Sequence, residues 1–277
     1  MRRLSFLAVI LSLTFAVFVL MPPSIIASGS RSVQLNDPEI DLNDKVSLQR
    51  GAKLFVDYCL SCHSASFMRY DRMAADIGFT DEQLKKDMMF TTDKVGDVMK
   101  VAMSPQDAAA WFGTQPPDLS VVSRSRGVDW LYSYLLGFYE DPNLSRPFGV
   151  NNIIFPEVGM PHVLIGLQGI QRKRREAHPN LDETHGFHTM EDALELIQPG
   201  SMDDVSKKML KLSLINADKA DSYGYQSVAR DLVAFLAYMG EPAKVQRQEL
   251  GVWVLVFLAI FFIVAFALKK EYWKDIH

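Results

Sequence analysis

The sequence predicts a mainly α-helical domain carried outside a membrane on a single C-terminal transmembrane helix. Three observations predict it. Leu48, Ala52, Phe55, Val56 and Cys59 recur at helical spacing, and Val228, Leu232, Phe235, Leu236 and Met239 share one face of a second helical pattern. Residues 250–268 form an uncharged run of 19, about 28 Å long as a helix and therefore enough for one bilayer crossing. With 48% apolar and 22% charged residues over 277 positions, the rest has the composition of an ordinary globular domain.

From the N-terminus, Arg2 and Arg3 precede an uncharged stretch 4–20 and a small-residue stretch 27–30. These are the n-region, h-region and cleavage zone of a secretory signal peptide, assigned to 1–27; an uncleaved anchor is the competing reading. Residues 28–44 are polar and expected to lie over the surface of the mature domain. The first helix runs from about Ser47 to Cys59. Thr80, with Gln83 three residues on, has the pattern of a capping box opening a helix over 81–87. Ser104 followed by Pro105 starts another, because proline suits the first helical position. A third helix is expected over 130–139, ended by Pro142. Residues 149–169, rich in Gly and Pro, read as extended loop, and Arg172, Lys173, Arg174 and Arg175 as a solvated basic loop. The last soluble helix covers 222–239, stopped by Gly240 and Pro242, with a short polar linker before the anchor. No internal repeat divides 28–248, which reads as one domain.

The anchor is assigned to 249–270 and a tail to 271–277. Lys269, Lys270 and Lys274 follow the uncharged run, whereas Arg247 is the basic residue just before it. The positive-inside rule then puts the tail in the cytoplasm and 28–248 in the periplasm of a bacterial inner membrane. Trp253 at one end, and Tyr272 with Trp273 at the other, suit the two interfacial belts. The chain carries 29 basic and 33 acidic residues. Setting aside two basic residues in 1–27 and three of each sign in 249–277 leaves the exported domain with a net charge of −6. Such a surface steers a basic soluble partner and implies no nucleic-acid partner.

The chemistry-bearing motif is C-x-x-C-H, formed by Cys59, Cys62 and His63, the attachment signature of a c-type haem. The two thiols add across the two porphyrin vinyl groups, and the adjacent imidazole becomes the proximal iron ligand. The chain's two cysteines are both in this motif. A thioredoxin-like dithiol would follow a strand, whereas a helical pattern precedes Cys59. Zinc would need a second ligand pair nearby, and His185 and His188 lie more than a hundred residues on. One covalently attached haem c is therefore expected, in a cytochrome c-like domain. Cytochromes of that class cross the helix before the motif with the last helix, so Gly51 and Phe55 are expected to meet Phe235 and Tyr238. A helical glycine costs about 1 kcal/mol relative to alanine and calls for such a close approach.

A methionine as sixth ligand closes the iron and raises its reduction potential, because the soft thioether favours the ferrous state. Met160 is favoured: Gly159 lets the backbone approach, and Pro161 keeps the methionine out of helical geometry. His162 and Met103 are the alternatives. The 97-residue interval from His63 to Met160 makes this an enlarged cytochrome.

With Cys59–His63, the P-P-D-L-S run at 116–120, the R-x-R-G run at 124–127, Gly159-Met160-Pro161 and the tail anchor, most of 45–277 resembles the cytochrome c1 family in its proteobacterial form. These are the haem subunits of the ubiquinol–cytochrome c reductase, or cytochrome bc1 complex. The resemblance implies Met160 as sixth ligand, Pro116 and Pro117 beside the haem, and Arg126 paired with a haem propionate. It also implies cytochrome b and Rieske iron–sulfur partners, with a soluble or tethered cytochrome c as acceptor. The expected role is one-electron relay, the chain acting as the electron-transfer subunit of that enzyme and making no bonds alone. The alternatives are a tethered haem sensor or ligand-binding module, and a cytochrome subunit of a terminal oxidase.

Overall fold

A computed structural model describes residues 33–143, 145–146, 148–174, 189–200 and 224–274. The signal-peptide reading over 1–27, His185, His188, Arg175 and the last three residues lie outside the described residues.

The scaffold is a crossing of two helices. α1 (Lys45–Leu54) begins where the Asp44 carboxylate accepts from the backbone N–H groups of Val46 and Ser47, at 3.0 and 3.1 Å. α9 (Tyr225–Gly240) is buried along nearly its whole length. At the crossing, a Cβ placed on Gly51 would run into the backbone carbonyl of Asp231 and lie 2.7 Å from the Phe235 Cβ. Glycine is there because the two backbones touch. Phe55 packs on Phe235 with centroids 5.6 Å apart, as the sequence predicts, and within α9 Phe235 packs on Tyr238 at 6.0 Å. Beside this contact Asp231, only 3% exposed, accepts from Ser47 Oγ at 2.6 Å and from the Arg50 guanidinium. Tyr238 adds a bond from its hydroxyl to Asp76 at 2.8 Å.

α1 does not run straight into the motif. Its last turn opens into a π-helical turn, Phe55–Cys59, in which Leu60 N–H reaches Phe55 O at 2.9 Å. β1 (Ala65–Arg69) then pairs antiparallel with β2 (Val98–Met99). Between them α2 (Tyr70–Ile77) ends on Gly78 at φ +90, and α3 (Asp81–Asp87) opens with the capping box expected at Thr80 and Gln83. α4 (Pro105–Phe112) is capped by Ser104 with Pro105 in its first turn, also as expected.

The middle of the chain differs from the sequence reading. α5 (Val122–Arg126) and α6 (Val128–Leu136) are followed by β3 (Phe138–Glu140), so the third helix starts two residues early and stops three residues short. The stretch 149–169 is not all loop: it holds β4 (Val150–Asn152), the single turn α7 (Ile165–Gln168) and the start of β5 (Gly169–Lys173). α8 (Met190–Ala193) and β6 (Leu194–Pro199) complete a four-stranded sheet in the order β4-β3-β5-β6. The basic run is thus partly strand, and Arg172 pairs with Glu140 across it at 3.0 Å. Side chains build this sheet onto α6: Gln168 and Gln171 both donate to Leu136 O at 2.9 Å, satisfying a carbonyl that the helix end leaves open.

The polar linker before the anchor is also mostly helix. α10 (Lys244–Tyr272) is continuous over 29 residues, with mean hydropathy 2.9 in its apolar window and no buried residue. Phe257 stacks on Phe261 and Phe262 on Phe266, each pair one turn apart.

The crossing gives a direct test. Gly51→Ala forces backbone apart and should lower stability by about 2–3 kcal/mol. Thermal unfolding followed by circular dichroism should show a midpoint lowered by about 4–12 °C for a domain of this size; an unchanged midpoint would show that the helices separate freely there.

Candidate functional site

The motif hangs from the buried end of α1. Cys62 N–H and His63 N–H both donate to Cys59 O, at 3.0 and 2.8 Å, which curls the five residues into one tight turn. Cys59 is buried and Cys62 half-buried, and both are free thiols. Burial, with Cys62 alongside, pushes the Cys59 thiol up to about 12.

His63 is 9% exposed, and its Nδ1 lies 2.7 Å from the carbonyl oxygen of Pro117. A carbonyl can only accept, so Nδ1 carries the proton and Nε2 keeps its lone pair for a metal. Burial holds the imidazole below its usual range, against the opposing pull of the Pro117 carbonyl and Asp118. The ring is therefore neutral and fixed in its ligating tautomer.

The carbonyl that does this is itself held. Leu119 N–H donates to Ser64 O at 2.8 Å, and Val101 N–H to Ser64 Oγ at 3.0 Å. The Asp118 carboxylate accepts from Ser66 N–H at 2.9 Å and Ser120 N–H at 2.8 Å, while Ser120 Oγ accepts from Phe67 N–H at 3.0 Å. The 116–120 loop is thus stitched to β1, and Pro116 with Pro117 stiffens its start. A cleft of about 200 Å³ opens beside Cys62, lined by Ser64, Val101, Met103, Pro116 and Asp118 among others.

A second cluster forms on α6 and the loop after β4. Met160 is half-buried, and Tyr134 Oη donates to its Sδ at 3.3 Å. Trp130 stacks on Tyr134 at 5.0 Å, and Tyr134 meets Phe138 edge-on at 5.1 Å. Burial holds the Tyr134 phenol well above its usual range. The loop is shaped by two buried asparagines. Asn152 Oδ1 accepts from Ile154 and Phe155 N–H at 2.9 and 3.2 Å, and Asn151 Oδ1 from Glu157 N–H at 2.8 Å. His162, the alternative ligand, stacks flat on Phe138 at 4.7 Å with its Nε2 buried and unpartnered. Burial pushes its imidazole down to about 4. Arg126 is exposed, its guanidinium over Trp130 at 5.1 Å and Phe155 at 6.0 Å, and among the described residues it has no ion-pair partner.

The structure therefore gathers Cys59, Cys62, His63, Pro116 and Pro117 in one cluster, with Met103 on its cleft, and Met160 and Arg126 in another joined through Trp130. Sequence reasoning missed Tyr134, Asn151, Asn152 and the role of the Pro117 carbonyl. Trp130 and Tyr134, one helical turn apart, were the available signal for the first of these.

Asp118 gives this cluster a pH signature. Burial acts to raise its pKa but is outweighed by hydrogen bonds from Ser120 and Ser66, which hold the carboxyl below its usual range. A depressed carboxylate contributes stability that is present above the unfolded pKa, about 3.9, and lost as pH falls through the folded value. Asp118→Asn should therefore melt below the native protein at pH 7, with the gap narrowing as the pH is taken below 4. A gap constant across the acid range would assign the loop's stability elsewhere.

The donor set fits one group. Two thiols on a single turn, followed at once by an imidazole whose tautomer is fixed, fit the covalent attachment of haem c. A family model described as the cytochrome C1 family matches residues 38–276. The cytochrome c1 of Allochromatium vinosum is 41% identical over 96% of this chain and 99% of that protein. A Nitrosomonas europaea protein named ammonia monooxygenase gamma subunit is also 41% identical, over 94% of this chain and 96% of its own length. The Rhodospirillum rubrum cytochrome c1 is 26% identical over 84% of this chain and 83% of that protein. With the family model matched over most of its length, the chain belongs to the cytochrome c1 family.

Proposed function

We propose that this chain is the haem subunit of a quinol–cytochrome c reductase, taking single electrons from a Rieske iron–sulfur protein and passing them to a cytochrome c. Haem c bound here supplies the one-electron centre. Cys59 and Cys62 would hold it covalently, His63 and Met160 would ligate its iron, Pro116 and Pro117 would pack against it, and Arg126 would take a propionate.

The observation that carries this reading is the Pro117 carbonyl on His63 Nδ1. It leaves the lone pair of the ring's other nitrogen available to a metal, and a ligand so fixed suits a centre that must change charge with little rearrangement. The thioether supports the same reading: Met160 is oriented by a hydroxyl donor and favours the ferrous state, whereas a gas sensor needs an open or labile position. Arg126 has its guanidinium exposed beside the Met160 cluster, a planar donor suited to a carboxylate.

The residues flanking the anchor support an orientation for the domain. Lys269, Lys270 and Lys274 beyond the apolar run support a cytoplasmic tail and a periplasmic haem domain. The net charge of −6 over 28–248 supports a basic acceptor docking by electrostatic steering.

Two outcomes test this. Purification from membranes in mild detergent should bring cytochrome b and a Rieske protein with the chain; co-purification with an ammonia monooxygenase instead would transfer the chain to that enzyme. Because no residue of α10 is buried, ending the chain after Gln248 removes nothing from the core. That truncated protein should be soluble and fully haem-loaded, and its retention in washed membranes would reveal a second attachment.

A further inference from the structure

We infer that Tyr134 is a positioning residue for the axial thioether, setting the reduction potential through its hydroxyl bond to Met160 Sδ. This rests on the reading of Met160 as sixth ligand.

The contact is imposed by the fold from both sides. The Tyr134 ring is held by Trp130 on one face and by the edge-on Phe138, which leaves the hydroxyl little freedom. Asn152, fully buried, ties the two partners together: its Nδ2 donates to Tyr134 O at 2.8 Å, while its Oδ1 organises the turn that leads to Met160. One asparagine thus sets helix and ligand loop in register, and the 3.3 Å approach of Oη to Sδ follows.

A thioether sulfur has two lone pairs. With one on iron, the other accepts the Tyr134 hydrogen, and that donation draws electron density away from the metal bond. The O–H dipole also points its positive end toward the metal. Ferric iron carries the larger charge and depends more on the sulfur's electrons, so both effects favour the ferrous form. The hydroxyl therefore raises the potential above what a His/Met pair alone would give.

The test uses the haem-loaded full chain in detergent. Tyr134→Phe keeps the ring, its stacking and the buried volume and removes the donor. Potentiometric titration should show the equilibrium with a fixed mediator shifted about three- to tenfold toward the oxidised form, as expected for one hydrogen bond. At 59 mV per tenfold for one electron, that is a potential lowered by about 30–60 mV. The sulfur-to-iron charge-transfer band at the red end should persist but move. Tyr139→Phe, one strand away on β3, is the control and should change neither. Potentials are read on the loaded fraction, so reduced loading does not obscure the result. Met160→Leu runs alongside. If it keeps the charge-transfer band, the ligand assignment itself is wrong. If it loses the band while Tyr134→Phe leaves potential and band unmoved, the ligand stands and the role of Tyr134 is overturned.

Discussion

The contact of Gly51 with the Asp231 backbone is the constraint on which the rest of this structure depends. α1 and α9 are far apart in sequence, and their backbones touch at a point where any side chain would collide. The buried carboxylate of Asp231 sits beside that point, bonded to Ser47 and Arg50, so the crossing is fixed in both spacing and register. Removing one member of such a group leaves a buried charge uncompensated, which is why the arrangement resists sliding. The motif begins eight residues beyond Gly51 on the same helix, and it inherits that rigidity.

From this frame two clusters, one around His63 and one around Met160, are built by the same device. In each, a backbone loop is shaped by one short polar side chain accepting several N–H groups: Asp118 for the Pro117 loop, Asn152 for the loop to Met160. In the first the loop presents a carbonyl to His63, and in the second it carries Met160 to the Tyr134 hydroxyl. Fixed dipoles of this kind need not reorganise when a neighbouring charge changes.

What was legible in the sequence is what depends on local pattern. The motif declared its chemistry through spacing, the Thr80 and Ser104 caps through residue type, and the crossing through a glycine that a helix would otherwise disfavour. The four-stranded sheet was illegible because β3 and β4 are three residues each, too short for alternation to register, and because β5 carries a charged sequence that reads as solvated. The end of α6 was overrun because the carbonyl that closes it, Leu136 O, is met by Gln168 and Gln171 more than thirty residues on. Tyr134 was missed since an aromatic on a helix face is ordinarily packing, and its hydroxyl gains meaning only from the loop brought over it. The family resemblance supplied residue roles that periodicity could not.

The link between α9 and α10 has a mechanical consequence. Only Glu241, Pro242 and Ala243 separate Gly240 from Lys244, and Glu241 N–H and Lys244 N–H are bonded back to Tyr238 O and Glu241 O at 3.1 Å each. Three residues span at most about 10 Å even when fully stretched. The stem continues as 29 residues of unbroken helix, about 44 Å against the roughly 30 Å of a hydrocarbon core, so part of it rises above the lipid as a rigid post. A domain mounted on a post has no leash on which to travel.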